Sequence, residues 1–247
     1  MRRQALIVLV AVLLAGATSP ALAQGGLPTP ASPKSPTVSK FLQPGELDPA
    51  LVLPPPPKDD APAAVEGRAE LHRLAAARSS DRLEQAKRDD ELEDVRAIAA
   101  AIGPALDFSR LPATAALFRD LRTEDSVAAK HAKAFFKRER PFRFDKDLDV
   151  CDDGHDVRNS YPSGHATMGY SAAAVLANLM PGNAQVILAR ASDYAESRLY
   201  CGVHYRSDLE AGQVLGNVLV QKLMTKPAFQ AELEAARAEL TALHIAP

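Results

Sequence analysis

Three groups of side chains have the types and spacings needed to handle an oxyanion. Lys133 and Arg140 stand seven residues apart, almost two helical turns, so they share a face if a helix runs on to Arg140. Such a pair can hold a phosphate, with Arg as a planar fork and Lys as a point charge. Lys137, Arg138 and Arg143 lie in the same stretch, so a solvated basic face is the plain alternative. The second group is Tyr161-Pro162-Ser163-Gly164-His165, which opens an Ala-rich stretch. Pro162 stops whatever precedes it, Ser163 is an N-cap, and Gly164 lets a ligand approach the backbone. A helix N-terminus offers N–H groups and partial positive charge to an anion, and His165 in that first turn can donate a proton. Alone, this is equally an ordinary capped helix. The third group is Ser197-Arg198, His204 and Asp208. Residues four apart meet across one turn, and a carboxylate on one ring nitrogen fixes the tautomer and leaves the other nitrogen to attack. A surface ion pair is the alternative.

The elements that must position these groups read as helices. Ala, Leu, Glu and Arg recur at helical spacing from about Ala61, which predicts helices over 62–78, 81–102, 112–120, 123–138, 163–179, 182–199, 207–225 and 228–243. Ser80 and Thr123 read as N-caps; Gly103-Pro104 and Pro181-Gly182 read as breaks. No stretch alternates apolar and polar residues long enough to argue for a strand. An all-α domain over 61–243 follows. Before it, residues 24–57 hold ten prolines and read as an extended segment reaching to about residue 60, with apolar residues from Phe41 to Leu53 able to lie along a folded surface.

Arg2 and Arg3, the apolar run Ala5 to Ala17 and an Ala-x-Ala ending at Ala23 read as a signal peptide over 1–23, cleaved after Ala23. Thirteen residues are too few to span a bilayer, which needs about 20. No later stretch is long and apolar enough, so no membrane span is expected in the mature chain. The formal net charge is −2, and losing a leader with two Arg and no acid takes it to −4. That balance does not suit non-specific binding of nucleic acid. Export to an oxidising compartment, the periplasm, allows Cys151 and Cys201 to pair; two buried thiols are the alternative.

In order, the three groups run Lys-x6-Arg-Pro, 20 residues, Pro-Ser-Gly-His, 31 residues, Ser-Arg-x5-His-x3-Asp. This resembles the signature of the type 2 phosphatidic acid phosphatase (PAP2) superfamily, which includes bacterial class A non-specific acid phosphatases, lipid phosphatases and vanadium haloperoxidases. The flanking features resemble the class A acid phosphatases more closely: the leader, Leu53 to Pro57, Ser160 to His165, and Cys201 to His204. The resemblance covers roughly residues 40–225. Tyr205 departs from it, since Trp is expected there.

The resemblance implies a single helical-bundle domain of the PAP2/haloperoxidase type, possible homo-oligomers, and small phosphomonoesters as substrates. It makes His204 the nucleophile that forms a phosphohistidine. Asp208 orients that ring, and His165 protonates the leaving alkoxide. Lys133, Arg140, Arg198, Ser163 and the Gly164 amide hold the phosphoryl oxygens. Neither metal nor other cofactor is implied; Asp152, Asp153, His155 and Asp156 read as a polar loop. If the groups converge on one phosphate, the loops of Cys151 and Cys201 are neighbours, and a bond between them is geometrically reasonable. The competing readings are a vanadium-dependent haloperoxidase and a phosphate-binding protein without turnover. Against the latter, binding alone requires neither a nucleophile nor a proton donor.

Overall fold

The computed structural model describes residues 38–103, 106–151 and 156–246. The expected leader, the part of the Pro-rich run before Val38, and Asp152, Asp153 and His155 lie outside the described residues. In chain order the helices are α1 (Pro49–Val52), α2 (Pro62–Ala77), α3 (Ser80–Glu91), α4 (Arg96–Ala99), α5 (Pro112–Phe136), α6 (Pro141–Phe144), α7 (Gly164–Leu179), α8 (Ala184–Tyr200), α9 (Arg206–Leu223) and α10 (Pro227–Ala242). Among the described residues there is no strand, so the domain is all-α. Proline stands in the first turn of α1, α2, α5, α6 and α10, where its missing N–H breaks no helical bond.

Helix α7 is the axis of the packing. Its Ala-rich sequence buries residues on most of its surface, from Ala166 to Leu179, against α5, α8 and α9. The α7–α9 contact is close because α9 carries glycines one turn apart. A Cβ on Gly216 would stand 2.5 Å from the Thr167 carbonyl oxygen, and one on Gly212 would stand 2.8 Å from that of Ser163. That approach sets the start of α9 beside the start of α7, where two of the three groups lie. The segment ahead of α1 is tied to α5: Ser39 Oγ, Lys40 N and Phe41 N donate to the Glu124 carboxylate at 2.6, 2.5 and 3.0 Å. Phe41, Leu42 and Leu53 enter the core.

Several expected boundaries change. The two helices expected over 112–120 and 123–138 are one, α5, and Thr123 is mid-helix with its hydroxyl on the Arg119 carbonyl at 3.2 Å. The helix expected over 81–102 ends at Glu91, after Asp89, Asp90 and Glu91, a run of acids that the negative end of the helix dipole disfavours. Ser79, not Ser80, caps α3, accepting from Arg82 N at 3.2 Å. Helix α5 stops at Phe136 because Lys137 turns left-handed, at φ 51°, so Arg140 is reached by a loop and not by two helical turns.

Candidate active site

The loop after α5 returns Arg140 to the mouth of the helix packing, where Arg140 N donates to the Val157 carbonyl at 2.7 Å. Ser163 caps α7, with its Oγ accepting from Ala166 N at 3.3 Å. Arg198 is in the last turn of α8, and the chain then turns through Gly202 at φ 69°. That turn delivers His204, and Asp208 follows in the first turn of α9. Cys151 and Cys201 form a disulfide that joins this turn to the loop after α6.

Lys133, Arg140, Gly164, His165, Arg198 and His204 line one cavity of about 390 Å3, together with Asp90, Glu91 and Glu93. The other two expected residues stand behind it. Asp208 is buried against the far side of the His204 ring, and the Ser163 hydroxyl is engaged as the α7 cap. A second cavity of about 440 Å3, between the segment 38–47 and α5, has no Lys or Arg in its lining, so an anion finds its complement in the first.

The protonation pattern of His204 follows from its neighbours. Arg140 Nη1 lies 3.2 Å from His204 Nε2. A guanidinium only donates, so Nε2 accepts and the ring proton sits on Nδ1. Nδ1 faces Asp208 Oδ2 at 3.2 Å. Burial first, then the charges of Arg140, Lys133 and Arg198, holds the imidazole well below its ordinary pKa, so it is neutral with a lone pair aimed into the cavity. Burial, then Arg140, pushes the Lys133 ammonium down to about 7. Burial, then Arg198, brings Arg140 down to about 10. Lys133 also donates to the Asn159 carbonyl, and Arg140 Nη1 donates to the Val203 carbonyl at 2.8 Å.

Two features were not legible as site residues. The first is Arg138, which belongs to the stretch open to reading as a solvated basic face. Its side chain is 2% exposed and donates to Asp208 Oδ1 at 2.7 Å. The second is the acidic segment Asp89 to Glu93. Asp89 accepts from Ser197 Oγ at 2.6 Å and pairs with Arg190, while Asp90 pairs with Arg198. The Asp90 carbonyl lies 3.1 Å from His165 Nε2, so that nitrogen carries a proton. Glu93 pairs with Arg122 at 2.7 Å and stands 3.9 Å from His165 Nδ1. The available signal was the run of acids at a helix C-terminus, which needs cations from elsewhere to offset it.

Residues 116–229 match the PAP2 superfamily. An acid phosphatase of Zymomonas mobilis is 36% identical over 202 residues, 78% of this chain and 75% of its own. A non-specific acid phosphatase of Salmonella typhimurium is 34% identical over 83% of this chain and 85% of its own. One from Providencia stuartii is 31% identical over 80% and 82%. The chain belongs to the PAP2 superfamily, among the bacterial non-specific acid phosphatases of the class A type.

Proposed function

We propose that this phosphoric monoester hydrolase cleaves small phosphate monoesters by transferring the phosphoryl group to His204, without a metal ion, after export to the periplasm through a cleaved leader. The observation that carries the reading is the buried, neutral His204 ring, with Nδ1–H on Asp208 and Nε2 beside Arg140 Nη1 in a cavity that Lys133 and Arg198 also line. Phosphoryl transfer needs in-line placement and charge neutralisation more than covalent assistance. Lys133, Arg140 and Arg198 supply the positive charge, and the Gly164 amide at the α7 N-terminus adds a donor.

Nε2 attacks phosphorus as the bond to the leaving oxygen breaks, and protonated His165 gives that oxygen its proton. Asp90 and Glu93 set negative charge beside the His165 ring, which suits the imidazolium that a general acid must be. Water then attacks the phosphohistidine with neutral His165 taking its proton, and inorganic phosphate leaves. Small phosphomonoesters as substrates also agree with the names of the relatives. Among the described residues no helix is long and apolar enough to cross a membrane.

The test combines EDTA with trapping. Protein dialysed against EDTA is expected to hydrolyse p-nitrophenyl phosphate at full rate. Quenched in alkaline detergent, which spares the N–P bond, it is expected to carry substrate phosphate on His204. The variant His204→Ala is expected to carry none and to turn over at least about 10⁴-fold more slowly. Phosphate trapped on another residue rejects the nucleophile, and activity that EDTA removes and a divalent ion restores rejects the metal-free mechanism.

A further inference from the structure

The basic stretch after α5 divides sharply by burial. Lys137 and Arg143 are exposed, whereas Arg138 is enclosed. Burying a guanidinium is costly unless it is paired and hydrogen-bonded, so its partners show what it is there for. Arg138 Nη1 donates to Asp208 Oδ1 and to Ser207 Oγ, both at 2.7 Å. Its guanidinium carbon lies 4.1 Å from the centre of the Tyr205 ring. That ring is held from the other side by α2: a Cβ on Gly67 would stand 2.9 Å from Tyr205 Cδ1, and Arg68 Nη1 donates to the Tyr205 hydroxyl at 3.2 Å. The other carboxylate oxygen, Asp208 Oδ2, accepts from Ser160 Oγ at 2.6 Å and Tyr205 N at 2.8 Å, and faces His204 Nδ1 at 3.2 Å.

We propose that Arg138 is the positioning residue that fixes the Asp208 carboxylate and, through it, the attacking ring of His204. Arg138 does not line the cavity, so it acts on the reaction only through Asp208. With Oδ1 held by Arg138 Nη1, Oδ2 is left to the three donors that define the His204 Nδ1–H direction. The stacked Tyr205 ring fixes the guanidinium plane, a task that a lysine ammonium cannot take over. This rests on His204 being the nucleophile, and the experiment separates the two claims.

Arg138→Met is expected to lower kcat on p-nitrophenyl phosphate about 10²-fold while the Kd for inorganic phosphate changes less than about three-fold, because the cavity floor is intact. Arg138→Lys is expected to recover part of kcat. Residues that act as one unit are non-additive, so Arg138→Met/Asp208→Asn is expected to be no slower than Asp208→Asn alone. The double variant leaves no unpaired buried charge, and it carries the test if Arg138→Met does not fold. A kcat for Arg138→Met within two-fold of wild type overturns the inference. So does a double variant slower than Asp208→Asn by the full factor of the single change. Phosphatase activity with label on a residue other than His204 overturns the nucleophile instead, whatever Arg138→Met does to the rate.

Discussion

Behind the His204 ring, Asp208 receives its donors in a buried network, and its charge is met by Arg138. In front of the ring, Lys133, Arg140 and Arg198 converge on an open cavity, with Asp90 on Arg198 as the near counter-charge. The rear pairs the carboxylate with a guanidinium, as buried charge must be to persist, although the buried Arg138 Nε has no hydrogen-bond partner among the described residues. The front differs: Asp90, Glu91 and Glu93 share its lining, yet burial first and then repulsion from the neighbouring arginines push Lys133 to about 7 and Arg140 to about 10. A phosphate dianion is the ligand that relieves that repulsion. In the proposed mechanism the contrast separates two tasks: the rear keeps one nitrogen aimed, and the front receives the anion.

After His204→Ala, the largest effect is expected from removing His165, the proposed proton donor, from the front. His165→Ala is expected to slow hydrolysis of an alkyl phosphate by about 10²–10⁴-fold, the usual span for a general acid. It is expected to slow p-nitrophenyl phosphate much less, because nitrophenolate departs without a proton. Paired kcat/KM values for the two substrates check this. Equal slowing would make His165 one more phosphate contact, and the front would then be only a binding surface.

The next largest effect concerns the support of the rear. The Cys151–Cys201 bond closes a loop spanning 50 residues, and Cys151 N donates to the Cys201 carbonyl at 3.1 Å. In the chain-entropy model a loop of that size is stabilising by about 4 kcal/mol. Reduction is therefore expected to lower Tm, with hydrolysis lost at temperatures where the far-ultraviolet helical signal is still intact, since the bonded turn leads directly into His204. A melting curve followed by both rate and circular dichroism tests it; coincident loss of the two would show that the turn is not held locally.

The front was more legible in the sequence than the rear, for a physical reason. Phosphate recognition draws on residue types and spacings that survive in a string of letters, so Lys133, Arg140, His165 and Arg198 stood out as a set. The helices were legible as well, because α7 and α9 carry unbroken patterns of small and apolar residues. The rear depends on which way a charged side chain turns. Arg138 sits beside Lys137 and near Arg143 in one basic stretch, and only the left-handed residue at Lys137 and the loop after it send Arg138 inward. Asp90 and Glu93 were hidden because the pattern from 81 to 102 reads as one helix. It stops at Glu91, and the acids at its end meet arginines from α8 and α5. Long-range pairing of that kind has no local signature.

The smallest effect is the most direct measure of how far burial costs the front its charge. Lys133 titrates near 7 in the folded chain against an ordinary 10.5. Between those values the unfolded chain binds a proton at this position and the folded chain does not. Unfolding therefore takes up a proton, and the contribution of Lys133 to stability rises with pH from about 7 to about 10.5. Below about 7 both states are protonated and the full cost of the buried ammonium is present. Phosphate reverses the preference, because the bound dianion favours the ammonium. Its affinity is then expected to weaken above pH 7 by up to about tenfold per pH unit, the limit for one linked proton. The control is Lys133→Met, which removes the titrating group. Calorimetric titration with inorganic phosphate at pH 8, in two buffers of different ionisation heat, counts the protons taken up on binding. Wild type is expected to take up close to one more than the variant, and between pH 7 and 9 its Tm without phosphate is expected to rise relative to that of the variant. Equal proton uptake by the two proteins would mean that Lys133 is already charged in the empty cavity, and that burial does not hold it neutral.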